Sequence, residues 1–136
     1  MDGCLATRLR DIVGADWCYT QEHQLRTYES DGLLQYAQLP AVAVLPGSAD
    51  EVQACVRACA DAGVPWVARG SGSGLSGGAL PVQDGVLIVT SRMKRVLEVD
   101  LANQRVCVEP GVTNTAVTSA VAPDFFYPPD PSSQIV

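Results

Sequence analysis

Residues 69–81 read RGSGSGLSGGALP, and five of the chain's 12 glycines lie between Gly70 and Gly78. No other stretch limits the fold so strongly. Glycines this closely spaced let the backbone take positive φ at several positions, and they bring main-chain N–H groups close to a ligand with no Cβ in the way. Concavities of that kind bind oxygen anions, chiefly phosphates. Arg69 opens the loop with a fixed positive charge, and no carboxylate lies between Asp61 and Asp84. A flexible linker could share this composition. The apolar segments on either side suit a buried, shaped turn better.

The rest of the composition fits one folded domain. The chain has 136 residues, 47% hydrophobic and 18% charged, enough to bury a core and too apolar for a disordered segment. A formal charge of −6 argues against nucleic acid, which rewards clustered Lys and Arg. The single lysine, Lys94, sits in a short basic run at 91–95 that reads as a solvated turn. Cys4, Cys18, Cys55, Cys59 and Cys107 form no CxxC and no His-containing metal spacing, so no metal site is expected. Cys55 and Cys59 fall one turn apart on the apolar face of an expected helix and read as small buried hydrophobes in a reducing compartment. Asp2, Arg8, Arg10 and Asp11 interrupt the first residues, unlike a signal peptide. No run approaches the ~20 apolar residues of a membrane span. The expectation is a soluble, cytoplasmic protein.

Leu5, Leu9, Ile12 and Val13 have the spacing of one helix face, with Gly14 placed to end it. Residues 15–39 show no sustained period and read as an irregular, ordered arm with a turn at Ser30, Asp31 and Gly32. His23, the one histidine, reads as a surface residue. The run 41–45 (AVAVL) between two prolines predicts a buried strand. Ser48 and Glu51 predict a capping box in which each side chain meets the other's amide. Val52, Cys55, Val56, Cys59 and Ala60 predict the buried face of the helix that follows, with Gly63 as its left-handed cap. Strands are expected at 64–68 and 85–90, and a hairpin at 96–99 and 105–108. Thr113 caps a short helix over 114–122, which Pro123 stops. Strand, helix and strand with short connections imply a right-handed parallel crossover. The glycine loop then leaves the C-terminal end of a parallel strand, where open α/β sheets place ligands.

Gly72, Gly74 and Gly77 satisfy GxGxxG, but the dinucleotide fingerprint needs a helix directly after the loop, and here a turn and a strand follow. A P-loop is excluded because no Gly-Lys-Ser/Thr is present. What remains is a loop between two strands that wraps a phosphate with its own amides.

With its flanking strands, that loop, the segment GVLIVTSRMKRVLEVD, then VEPGV and PPDPSSQ, resembles the FAD-linked oxidases with a PCMH-type (vanillyl-alcohol oxidase fold) flavin domain. Within them it is most similar to the FAD-linked subunit of glycolate oxidase and to D-lactate and D-2-hydroxyglutarate dehydrogenases. The likeness runs from about Tyr28 to the last residue. It implies an α+β fold: a small parallel β-α-β subdomain followed by the start of a mainly antiparallel sheet, incomplete at the C-terminus. Residues 1–40 would be an N-terminal helix and arm, and 41–136 the first part of the PCMH-type domain.

The resemblance assigns the FAD pyrophosphate to the glycine loop: Arg69, Gly70, Ser71, Gly72, Ser73, Gly74, Leu75, Ser76, Gly77 and Gly78. It gives further flavin contacts to Pro129, Asp130, Pro131, Ser132 and Ser133, with Asp130 equally suited to shaping the turn. Some relatives bind the flavin covalently through a histidine in this loop. Ser73 stands there instead, which implies non-covalent FAD. The implied reaction oxidises a small 2-hydroxy acid, of glycolate or D-lactate type, to the 2-oxo acid. Family chains are several times longer, so this one is expected to be an N-terminal piece, inactive alone and binding FAD poorly, with no catalytic base of its own. The resemblance also suggests iron–sulfur and second flavin-domain subunits as partners, placing the enzyme peripherally at the inner membrane. The residues leave two alternatives open: a non-catalytic nucleotide- or anion-binding module, and an inert truncated product.

Overall fold

The computed structural model of the chain describes residues 3–129. The elements run α1 (Gly3–Val13), β1 (Cys18–Tyr19), α2 (Glu22–Leu25), β2 (Val42–Val44), α3 (Ala49–Asp61), β3 (Trp66–Arg69), β4 (Val86–Val89), β5 (Val96–Asp100), β6 (Arg105–Val108) and α4 (Asn114–Val121). The fold is α+β, as expected. A four-stranded sheet has the order β1-β2-β4-β3, and β5 and β6 form a separate antiparallel pair.

Strand β4 lies between β2 and β3 and is parallel to both, with Leu87 opposite Ala43 on one side and Val67 on the other. Its four residues are all buried, which is why VLIV reads as a continuous apolar run and not an alternating one. The pleat sends alternate residues to opposite layers. Val42, Val44, Val86 and Ile88 pack with Leu5, Leu9 and Val13 of α1 and Cys55, Ala58 and Cys59 of α3. Ala43, Leu45, Leu87 and Val89 pack with Leu25, Tyr28 and Leu39 of the arm. Residues before 40 therefore contribute to both layers.

Four details depart from the sequence reading. The arm contains β1, which pairs antiparallel with β2 and closes that edge; two residues are too short to show a period. On α3, Ala58 is buried and Ala60 exposed, so the core-facing stripe is rotated from the expected one. Ser48 Oγ accepts from the Glu51 amide at 3.2 Å, but the Glu51 carboxylate accepts from Gly47 N at 2.8 Å instead of from Ser48. The basic run 91–95 is only partly solvated. Arg92 donates to Leu45 O at 2.7 Å and lies 3.9 Å above the Trp17 ring, while Met93 is buried. No helix among the described residues is long and apolar enough to cross a membrane.

Candidate functional site

The glycine loop leaves the C-terminal end of β3 and returns as β4 with no helix between them. Its root is pinned across the two strands, where the Thr90 amide and hydroxyl both donate to Arg69 O, at 2.8 and 3.3 Å. Gly72 and Gly77 take φ of 75° and 73°, the left-handed region that an L side chain rarely enters. Leu80 N donates to Gly77 O at 3.2 Å and closes the far turn. Between these points the amides of residues 71–76 donate to no acceptor among the described residues, and of these six residues all but Gly72 are exposed. The Ser71 and Ser73 hydroxyls lie 3.2 Å apart on the same exposed segment. Leu75 is exposed at the tip, with Ser76 beside it, while Gly70 and Gly77 are half-buried.

The glycines divide by what a Cβ would meet. At Gly72 it would collide with the Arg69 guanidinium. At Gly74 and Gly78 it would meet nothing within 4 Å, so there the loop leaves room above its backbone.

Arg69, at the root of the loop, is held by the arm. Its Nη1 donates to Ser30 O at 2.7 Å and Tyr28 O at 3.3 Å, and its guanidinium lies over the Tyr28 ring. Burial draws its pKa below the ordinary guanidinium value, while the charges of Asp31 and Tyr28 act in the opposite sense. Arginine stays protonated through such shifts. The loop therefore carries a fixed cation at its root, bonded to the arm.

Pro129 is half-buried at the end of the described chain, and Asp130, Pro131, Ser132 and Ser133 lie outside the described residues. His23 is exposed on α2. A groove of about 580 Å³ runs between the β5–β6 hairpin, α4 and residues 125–128, and no glycine-loop residue lines it. Sequence reasoning missed the packing of the arm under the loop. The turn at residues 30–32 was legible, but its partner was not.

Residues 40–136 match the family model described as FAD binding domain. The chain belongs to this FAD-binding family. Over 125 residues it is 45% identical to the glycolate oxidase subunit GlcD of Escherichia coli strain K12, covering 91% of this chain and 25% of that one. It is 34% identical over 94 residues to a D-lactate dehydrogenase of Archaeoglobus fulgidus, covering 68% of this chain and 21% of that protein. Among solved structures it is similar to 4-ethylphenol oxidase from Gulosibacter chungangensis, with a TM-score of 0.78 and 27% identity over 87% of this chain and 24% of that one. The fold is that of a PCMH-type FAD-binding domain, and the cofactor of the family is FAD. The chain spans about a quarter or less of the length of these relatives.

The residues of this FAD-binding chain fit a dinucleotide diphosphate. The amides at 71–76, without acceptors among the described residues, supply donors, Gly74 and Gly78 leave space for phosphate oxygens, and the Arg69 cation lies at the root of the loop.

Proposed function

We propose that the loop at residues 70–78 holds the FAD diphosphate through its main-chain amides, in an oxidoreductase that converts a small 2-hydroxy acid of glycolate or D-lactate type to the 2-oxo acid. The observation that carries this reading is the row of amides at 71–76 with no acceptor among the described residues, beside two glycines whose Cβ directions are open. Bound FAD supplies the acceptor for the two electrons and the proton that leave the hydroxyl-bearing carbon as a hydride. The contribution of this chain is to bind and orient. Loop amides meet phosphate oxygens, the Ser71 and Ser73 hydroxyls add donors at the edge, and Arg69 supplies a positive field from beneath. Pro129, Asp130, Pro131, Ser132 and Ser133 would add contacts along the same cofactor. Ser73 cannot form the histidyl bond of covalent relatives, so acid denaturation should release all of the flavin from the protein.

We assign no proton-abstracting base within this chain, and we infer that residues 1–136 alone hold FAD weakly and turn over no substrate. Iron–sulfur and second flavin-domain partners belong to the same reading. Its test is a fluorescence titration with FAD of the longest polypeptide carrying residues 1–136, comparing the parent with Gly74→Val. A Cβ at this position meets nothing within 4 Å in the free protein, so the valine should abolish binding without unfolding the chain. Equal affinity in the two would refute the assignment of the loop.

A further inference from the structure

We propose that the turn at residues 28–33 of the N-terminal arm is a positioning element for the glycine loop, with Gly32 and Leu33 setting its affinity for FAD without touching the cofactor. The inference rests on the reading of the loop as the diphosphate site. The arm segment lies outside the residues that match the FAD-binding family model, which begins at position 40.

Three contacts spread along the loop carry it. At the root, Arg69 is bonded to the carbonyls of Tyr28 and Ser30. In the middle, Gly32 lies so close to the backbone that a Cβ there would sit 2.5 Å from Ser73 O and 2.8 Å from Gly74 O. On the far limb, a Leu33 methyl lies 3.6 Å from where a Cβ of Gly77 would be. Asp31 holds the turn in this shape. Its Oδ1 accepts from Leu33 N at 2.9 Å, the closure of an Asx turn, and the residue is buried at 4% exposure.

The physical consequence follows from what the loop lacks. Its amides at 71–76 have no acceptors among the described residues to hold them in register, and two glycines in the left-handed region leave the backbone soft. A set of amides binds an anion well only if it already converges before the ligand arrives. The arm supplies that convergence from below: Arg69 is tied down at one end, the carbonyls of Ser73 and Gly74 rest on Gly32, and Gly77 is braced by Leu33. A methyl added at Gly32 would lift the middle of the loop, and truncating Leu33 would free its far limb.

The test uses the longest polypeptide carrying residues 1–136, with FAD affinity from fluorescence titration and ligand-free melting temperature measured on the same samples. Gly32→Ala should weaken FAD by at least about tenfold and Leu33→Ala by about threefold or more. Amides 71–76 of the free variants should exchange hydrogen faster than in the parent. If Gly32→Ala fails to fold, Leu33→Ala decides. Parent-like affinity in both arm variants, with Gly74→Val abolishing binding, would overturn the positioning role and leave the diphosphate reading intact. Parent-like binding by Gly74→Val, or a parent that binds no FAD, would overturn that reading and this inference with it. A loss of affinity in Leu33→Ala matched by a large fall in melting temperature, with unchanged exchange at 71–76, would mark the arm as general scaffold and refute the proposal.

Discussion

Arg69 Nη1 donates to the carbonyl oxygen of Ser30 at 2.7 Å, joining the root of the glycine loop to a turn 39 residues earlier in the chain. The same nitrogen reaches Tyr28 O at 3.3 Å, and the guanidinium carbon lies over the Tyr28 ring, 5.8 Å from its centroid. Lysine offers a point charge and no planar fork, so Arg69→Lys should lose at least one of these bonds. The expected destabilisation is about 1–3 kcal/mol, read from the urea midpoint at unchanged slope. An unshifted midpoint would show that the clamp contributes nothing to stability.

The core between α1, α3 and the sheet should be intolerant of lost volume. Leu9 is fully buried between the two helices and the first sheet face. Leu9→Ala removes several methyl and methylene groups from a site that can collapse only partly, at a cost of about 2–5 kcal/mol. Chemical denaturation checks this.

Thiol chemistry should separate the cysteines by burial. Burial first, then neighbouring Cys59, Glu51 and Cys18, push the Cys55 thiol up to about 12, and burial raises Cys59 and Cys18 as well. Cys4 and Cys107 are exposed. At pH 8 a thiol-reactive disulfide reagent should modify those two rapidly and the other three only on unfolding, because the thiolate is the nucleophile. Because the folded state favours the neutral Cys55 thiol, its contribution to stability is present below the ordinary value of 9.0 and is lost as pH rises from there toward about 12.

The turn after β6 gives the opposite pH dependence. Glu109 accepts from the Arg95 side chain at 2.7 and 2.9 Å and from the Arg95 amide at 2.8 Å, and these bonds hold its carboxyl below the ordinary 4.5. A depressed folded pKa stabilises above the unfolded value, and that stability is lost as pH falls through the folded one. The melting temperature of the parent should therefore drop below pH 4.5 more steeply than that of Glu109→Gln, which starts lower at neutral pH. Parallel curves would contradict the pairing.

Much of the fold was legible because strong local signals agreed. The capping serine at 48, the Cys55 and Cys59 spacing and the left-handed Gly63 place α3, and the apolar run before Thr90 places β4. The glycine loop announced itself through composition. What stayed hidden depends on contacts distant in the chain. Tyr28, Asp31 and Gly32 show no periodicity, and only the folded sheet brings Tyr28 to Arg69 and Gly32 under Ser73 and Gly74. The direction of Arg69 could not be read either, since a guanidinium at a loop root can serve a ligand or a carbonyl equally well. Arg92 was misjudged for the same reason, its partners Leu45 and Trp17 lying far along the chain.

Hydrogen exchange of the loop amides with and without FAD tests the central claim most directly, on the longest polypeptide that carries residues 1–136. The account predicts that FAD slows exchange at residues 71–76, whose amides have no acceptor among the described residues when free. Saturating FAD that protects other segments but leaves 71–76 exchanging as fast as before would contradict it.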